Sequence, residues 1–265
     1  MDEVEWQVVD GIGTLVLNRP HRKNAIDTGT WQGLQTVLES VVDDPAVRVL
    51  VLRGAGTDFS AGADISGGAS THATQLERME WFNRVVSALH NLPIPTIAQV
   101  DGVAFGVGMN LAIGCDFVVA SDRARFSEVF VKRALSVDGG GSWLLPRQVG
   151  LRAAKRLCLL ADAITAAEAE RIGLVTSVVA PEELEAEVGA LASRLAATSR
   201  LALAQTKRLL EEALITTFEQ ALENEARAQA INVASQDFAD AMDEFRRAAS
   251  SRPAPVEAGV DSDRS

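Results

Sequence analysis

The segment that most restricts how this chain can fold is Pro95–Asp116, PTIAQVDGVAFGVGMNLAIGCD. Thr96–Val100 is an apolar run with the character of a buried strand. A turn follows at Asp101–Gly102, and Gly106 and Gly108 then flank Val107 where an apolar helical pattern begins. Glycine at such a point lets the backbone turn sharply and approach a ligand closely. The first backbone N–H groups of the helix have no intrahelical acceptor, and with the helix dipole they favour negative charge. Over a carbonyl, they would stabilise the oxyanion formed as it enolises. A second loop, Gly54–Asp64 (GAGTDFSAGAD), follows another apolar run, Val47–Leu52, and also exposes backbone N–H groups among small residues. Two such loops could supply two donors to one oxygen. The residues alone leave an oxyanion site and two plain connectors both open. They do exclude two phosphate-binding readings: GVAFGVG lacks the G-x-G-x-x-G spacing, and no Gly-Lys-Ser/Thr follows GAGTDFSAG.

Elsewhere the pattern alternates strands and helices. Trp6–Asp10 and Thr14–Asn18 read as short strands around a turn at Gly11–Gly13. A helix capped by Thr28 or Thr30 runs to about Val42, with Trp31, Leu34, Val37, Leu38 and Val41 on one face, and Pro45 ends it. The unbroken apolar run Val47–Leu52 then has the signature of a parallel strand covered on both faces. A strand, helix and parallel strand make a right-handed unit. The helix expected from Gln75 to His90 carries Met79, Phe82, Val86 and Leu89, a stripe assigned to packing. Strand FVVAS and extended ARFS follow Asp116, and Ser142–Val149 reads as helical. The second half is Ala-rich and helical: about Leu151–Ala161, Thr165–Ile172, Pro181–Ala197, Leu201–Leu214 and one long helix over Thr217–Ser250, with a short strand at Val175–Val179. Ser66–Thr74 is poor in apolar residues and expected to be mobile, and the Pro- and charge-rich stretch 251–265 is expected to be disordered.

Composition narrows the function classes. With 265 residues, 47% of them hydrophobic, the chain can bury the core of one large α/β domain. A net charge of −11, from 36 acidic and 25 basic residues, argues against general nucleic-acid binding or an anionic membrane surface. No apolar run approaches the ~20 residues that span a bilayer. The segment MDEVEWQ is acidic, unlike a secretion signal, so a cytoplasmic location is expected. Cys115 and Cys158 sit in apolar surroundings and read as buried thiols. Three scattered histidines and no Cys-x-x-Cys suggest no metal.

LNRPHRKNAI at Leu17–Ile26, FSAGADI at Phe59–Ile65 and the Pro95–Asp116 segment together resemble the crotonase (enoyl-CoA hydratase/isomerase) family, in order, from about Trp6 to about Arg247. The resemblance implies an α/β crotonase-type spiral of ββα units with a helical C-terminal oligomerisation region. Domains are expected at 1–195 (spiral core with the CoA and active-site loops), 196–250 (C-terminal helices) and 251–265 (tail). It implies an acyl-CoA thioester substrate, no cofactor beyond the CoA of that substrate, and a homotrimer or hexamer. The oxyanion donors carried over are the N–H groups of Ala63 and Val107. The second position is usually glycine in the family, so the isopropyl group of Val107 is a departure. Arg22, Lys23, Ala25, Ala61, Gly62, Asp64, Ile65, Gly106, Asn110 and Phe130 fall at positions implied to contact CoA or the acyl group, with Arg22 and Lys23 as candidate phosphate partners and Asp64 orienting the oxyanion loop.

The acid–base groups separate members of the family. The two glutamates of a hydratase align with Asn110 and Phe130. An amide with no exchangeable proton and a phenyl ring forfeit general acid–base terms typically worth ~10²–10⁴-fold. SVDGGGSWLLPR instead resembles isomerase-type members, in which an acid at the position of Asp138 moves a proton along the allylic system. On its own, an Asp-Gly pair is a turn signal. The resemblance makes Asp138 the expected base of a double-bond or ring isomerisation. Two alternatives stand beside it: a hydratase using a displaced carboxylate, Glu128, and an acyl-CoA-binding protein without catalysis. Glu128 otherwise reads as a solvated residue or one ion-paired with Lys132 or Arg133.

Overall fold

A computed structural model describes residues 3–66 and 74–250. The Ser66–Thr74 segment apart from its two ends, His72 with it, and the tail 251–265 lie outside the described residues. By internal contacts the chain divides into two compact units, Met1–Lys207 and Arg208–Ser265.

In the first unit β1 (Val4–Val9) pairs antiparallel with β2 (Ile12–Leu17), and α1 (Thr28–Asp43) leads to β3 (Val49–Gly54). Then come α2 (Gln75–His90), β4 (Thr96–Val100), β5 (Val103–Phe105), α3 (Val107–Ile113), β6 (Phe117–Ser121) and β7 (Arg125–Ser127). A 3-10 turn over Val129–Arg133 precedes α4 (Gly141–Gln148), α5 (Gly150–Leu160), β8 (Ile164–Thr165), α6 (Ala166–Arg171), β9 (Ser177–Val179) and α7 (Leu184–Ala196), and the division between the units falls within α8 (Arg200–Ala213). Six strands form one sheet in the order β1-β2-β3-β4-β6-β9, parallel after the first pair. The other three form a second sheet, β5-β7-β8. This is the α/β architecture expected.

The reading of β3 as covered on both faces holds, and the core explains it. Leu50 and Leu52 face a large cluster with Trp31, Leu34 and Leu38 of α1, whereas Val49 and Val51 face a second cluster with Leu184, Val188 and Ala192 of α7. Alternate side chains of one strand therefore serve two hydrophobic layers. The chain crosses between sheets at Asp101–Gly102. Gly102 has φ +55°, and a β-carbon there would stand 2.2 Å from the Thr57 carbonyl oxygen, so glycine is required.

Several boundaries differ from the sequence reading. The cap of α1 is Asp27, whose carboxylate accepts from the Thr30 N–H at 2.9 Å, rather than Thr28 or Thr30. An Asx cap outcompetes a threonine already inside the helix. β5 fills the three residues between the expected turn at Asp101–Gly102 and Gly106, to which the pattern assigns no element. In the second unit, the single helix expected over Thr217–Ser250 is two: α9 (Phe218–Val233) and α10 (Gln236–Ser250). Ser235 makes the break. Its hydroxyl donates back to the Asn232 carbonyl at 2.6 Å and accepts from the Phe238 N–H at 3.2 Å, so it closes one helix and caps the next. Among the described residues no helix is long and apolar enough to cross a membrane.

Candidate active site

The two glycine-rich loops are stitched into one structure. Ser60 donates its N–H to the Val103 carbonyl at 2.8 Å, and its own carbonyl accepts from Phe105 at 2.9 Å. Contact is close enough to demand glycine: a β-carbon on Gly62 (φ +90°) would stand 2.6 Å from the Phe105 carbonyl oxygen, and one on Gly108 would stand 2.7 Å from Ser60 Cβ. Gly106, with φ +53° and ψ −129°, occupies backbone space essentially confined to glycine. It turns the chain into α3, leaving Val107 as the first helical residue.

Consequently Ala63 and Val107 line the same cavity, of about 510 Å³, together with Asp64, Ile65 and Asp138. That volume is typical of small-molecule sites. Among the described residues neither the Ala63 nor the Val107 N–H has a hydrogen-bond acceptor. The helical position of Val107 explains its free donor. The lining also has an apolar part, where Trp31 of α1 stacks on Phe82 of α2 with centroids 4.7 Å apart beside Met79, Val86 and Leu135, while Gln75, Arg78 and Asn83 of α2 add polar groups. Of the α2 stripe assigned to packing, Leu89 is buried in the core, Phe82 and Val86 pack against the core and also line the cavity, and Met79 lines the cavity; Trp81 and Val85, outside that stripe, are the other buried residues of α2.

The basic loop is fastened to the first glycine loop rather than lining this cavity. Ala61 donates to the Lys23 carbonyl at 2.8 Å, Ile26 to Gly62 at 2.8 Å, and Asp64 to Ile26 at 2.9 Å. Arg22 and Lys23 are exposed, and Lys23 Nζ lies 3.7 Å from Asp58. Ala25 is half-buried and accepts from Arg19. A residue the sequence reading missed holds this junction. Asn24 is buried and left-handed (φ +52°), and it donates to the Ala55 and Asp58 carbonyls at 2.9 and 2.6 Å. Its oxygen accepts from the Arg19 N–H at 2.9 Å. The signal available was modest: asparagine tolerates left-handed backbone better than most residues.

Two carboxylates border the cavity, and their surroundings push them apart. The Ser66 hydroxyl and N–H, together with the Arg19 guanidinium 2.9 Å away, hold Asp64 down at about 2. That group is a fixed anion which ties down its loop. Asp138 has the opposite environment: burial raises it to about 6, and its Oδ1 has no partner among the described residues. It precedes two left-handed glycines, Gly139 (φ +57°) and Gly140 (φ +84°), and a β-carbon at Gly139 would stand 3.0 Å from Val107 Cγ2. The segment therefore lies directly on α3.

Asn110 is wholly buried and donates through Nδ2 to the Asp138 carbonyl at 2.8 Å. Phe130 is buried, with its ring tip 3.6 Å from where a Gly106 β-carbon would be. Glu128 is neither solvated nor ion-paired. It is fully buried, and Lys132 reaches Asp162 at 3.4 Å instead. The strand ends at Ser127 and a 3-10 turn begins at Val129, so Glu128 sits at the junction between them.

Residues 7–250 match the family described as enoyl-CoA hydratase/isomerase. The chain is 36% identical over 236 residues to a crotonyl-CoA hydratase of Syntrophomonas wolfei, covering 88% of this chain and 91% of that one. It is 34% identical over 252 residues to a 1,2-epoxyphenylacetyl-CoA isomerase of Escherichia coli, covering 92% and 95%. The structure of an enoyl-CoA hydratase from Bacillus anthracis superposes with a TM-score of 0.88 at 26% identity, covering 93% of this chain and 96% of that one.

Proposed function

Because the chain belongs to the enoyl-CoA hydratase/isomerase family, we propose that it shifts a double bond, or isomerises a ring, in an acyl-CoA thioester, with Asp138 as the base. The observation that carries this reading is the carboxylate placement. Asp138 is a desolvated carboxylate that lines the cavity holding the unpartnered Ala63 and Val107 amides, and its buried Oδ1 has no partner among the described residues. Asp64, the other acid lining the cavity, is engaged by Arg19 and Ser66.

In this reading the thioester oxygen lies between the two amides, and Asp138 removes a proton from the allylic carbon. Negative charge moves onto that oxygen as the enolate forms, stabilised by the amides and the α3 dipole. The protonated Asp138 then returns the proton to the carbon at the far end of the allylic system, leaving the base as it began. A carboxyl that titrates near 6 is ionised at neutral pH and still accepts a proton readily. Trp31, Met79 and Phe82 shed water from the acyl chain, which favours proton return over addition of water. Asn110 and Phe130 support the same preference, since neither can activate water. Exposed apolar side chains in the C-terminal unit, Ile215 (77%) and Phe218 (72%), support self-assembly into a trimer or hexamer.

The test is a panel of 3-enoyl and 2-enoyl thioesters turned over in heavy water. Deuterium at C2 or C4 without the mass of added water is expected, and Asp138→Asn should lose the exchange. Hydration of crotonyl-CoA at a rate exceeding isomerisation would overturn the reading.

A further inference from the structure

Beside the cavity lies a cluster of buried polar atoms, of which the proposed reaction uses only the Asp138 carboxyl. Asn110 Oδ1, Glu128 Oε1 and Asp138 Oδ1 are buried and have no hydrogen-bond partner among the described residues. Glu128 and Asn110 are fully buried. The Asn110 amide stands between the acids, donating to the Asp138 carbonyl at 2.8 Å and reaching Glu128 Oε2 at 3.5 Å. Its orientation is fixed, because the carbonyl of Asp138 can only accept. The three orphan atoms are an amide oxygen and two carboxyl oxygens. If both acids were ionised, every orphan would be an acceptor and none a donor. Buried acceptors facing one another without a proton are costly. A proton on Glu128 turns one acceptor into a donor at no cost in volume.

The charges around Glu128 point the same way. From α5 it faces the Cys158 thiol, pushed up to about 11 by its own burial and then by the charge of Glu128. From the α4 approach it faces Asp138. On its own turn Lys132 is drawn to Asp162, and Arg133 is exposed. Among the described residues no cation is paired with Glu128. Burial, then the charge of Asp138, raise it to about 8 against the opposing Asn110 bond. The two acids therefore hold one negative charge between them through the neutral range, and it resides on Asp138.

We propose that Glu128 is a positioning residue that works in its neutral form, leaving the Asn110 amide committed to the Asp138 carbonyl and Asp138 as the one charged member of this buried group. This rests on Asp138 being the base. When Glu128 ionises it pulls on the Asn110 amide through the second Nδ2 hydrogen. Both hydrogens belong to one rigid planar group, so the 3.5 Å contact tightens only as the amide tilts and the 2.8 Å one stretches, and the segment carrying the base loosens.

The experiment is the pH profile of kcat/KM for 3-enoyl-CoA isomerisation in wild type, Glu128→Gln and Asp138→Asn, with the protonated-carboxyl infrared band recorded at each pH. Wild type should show an acid limb near 6 and fall about tenfold per unit above about 8. Glutamine mimics neutral Glu128, so Glu128→Gln should keep the acid limb and lose the high-pH limb. The infrared band at pH 7 should vanish in Glu128→Gln and persist in Asp138→Asn. A high-pH limb surviving in Glu128→Gln, or no carboxyl band in wild type at pH 7, overturns the proposal. An Asp138→Asn enzyme of full activity overturns the assignment of the base instead, and the band still reports on Glu128. Should Glu128→Gln not fold, bleaching of the wild-type band with a midpoint near 8 supports the proposal, and a midpoint below 6 refutes it.

Discussion

Replacing Asp138 by Asn should make the protein more stable while abolishing turnover, and the size of the gain follows from the site. The carboxyl titrates near 6 in the fold against an ordinary value of 3.8, a displacement caused by burial. At 1.36 kcal/mol per unit, the shift of about 2.2 units corresponds to ~3 kcal/mol. The group is only partly buried, and screening by the remaining solvent reduces the figure to about 2 kcal/mol. The sign is that of a raised acid. Below about 3 both folded and unfolded chains hold the proton and there is no penalty. As pH rises from 3 to 6 the unfolded chain ionises first, and stability falls; above 6 the deficit is nearly constant. Asn reproduces the neutral carboxyl and carries no such deficit. Urea unfolding followed by tryptophan fluorescence, at one protein concentration, should give equal stabilities at about pH 3. At pH 7 the variant should be ahead by about 2 kcal/mol, with isomerase activity down ~10²–10⁴-fold. A variant that gains nothing between pH 3 and pH 7 would mean that Asp138 is solvated or paired, and the reasoning from desolvation would fail.

Gly108→Ala should separate the two loops, since its β-carbon would stand 2.7 Å from Ser60 Cβ and 2.9 Å from the Ser60 carbonyl oxygen. Overpacking of this kind costs ~1–3 kcal/mol, and kcat should fall more than KM rises because the donors for one oxygen move apart. Thr74→Ala removes one half of the capping box of α2, in which the Thr74 hydroxyl accepts from Glu77 N–H at 3.1 Å. It should cost ~1 kcal/mol, read as faster amide exchange in the first turn of α2 and as a raised KM, because Met79 and Phe82 line the cavity. Asn110→Asp keeps the shape but must hold a proton to preserve the contact with the Asp138 carbonyl. Thermal melts should show ~1–3 kcal/mol of destabilisation that grows between pH 5 and pH 8, and a loss independent of pH would contradict the donor role.

How far the sequence could be read depended on whether the deciding contacts were local. Val49–Leu52 announces a doubly covered strand because a continuous apolar run leaves no wet face, and both clusters it feeds are present. Gly106 and Gly108 announce a tight strand-to-helix turn because backbone space and steric room there exclude other residues. Glu128 could not be read this way. Its neighbours Lys132 and Arg133 suggest a solvated face, whereas its burial comes from α3, from α5 and from the Asp138 segment, all remote in sequence or beyond the turn. The stripe on α2 packs as read, with Leu89 in the core and Phe82 and Val86 against it, but the same face also lines the cavity, which periodicity alone does not reveal. Asn24 reads as one more polar residue in a basic loop until its three hydrogen bonds are seen. The break at Ser235 depends on a hydroxyl choosing between two helices, a competition settled by cap geometry rather than by composition.

Asn110 shows why an acid absent from one position suits an acid present at another. A glutamate at that place in α3 could accept but not donate when ionised, and the Asp138 carbonyl would lose its 2.8 Å partner. It would also become a third carboxyl within a buried group that already contains Glu128 and Asp138, where each added charge raises the cost of the next. An amide avoids both difficulties, since it is neutral and offers one hydrogen to the Asp138 backbone carbonyl and the other toward the Glu128 carboxyl. The substitution that removes a water-activating group therefore also anchors the segment carrying the proposed base. Phe130 acts alongside it by placing a phenyl ring beside Gly106, where a polar side chain would invite solvent next to the Val107 amide. On this view, changing Asn110 or Phe130 singly to glutamate would not produce a hydratase. Each residue now supports the position of Asp138 or the dryness of the loop beside it, and water addition needs that support replaced as well as a carboxylate supplied.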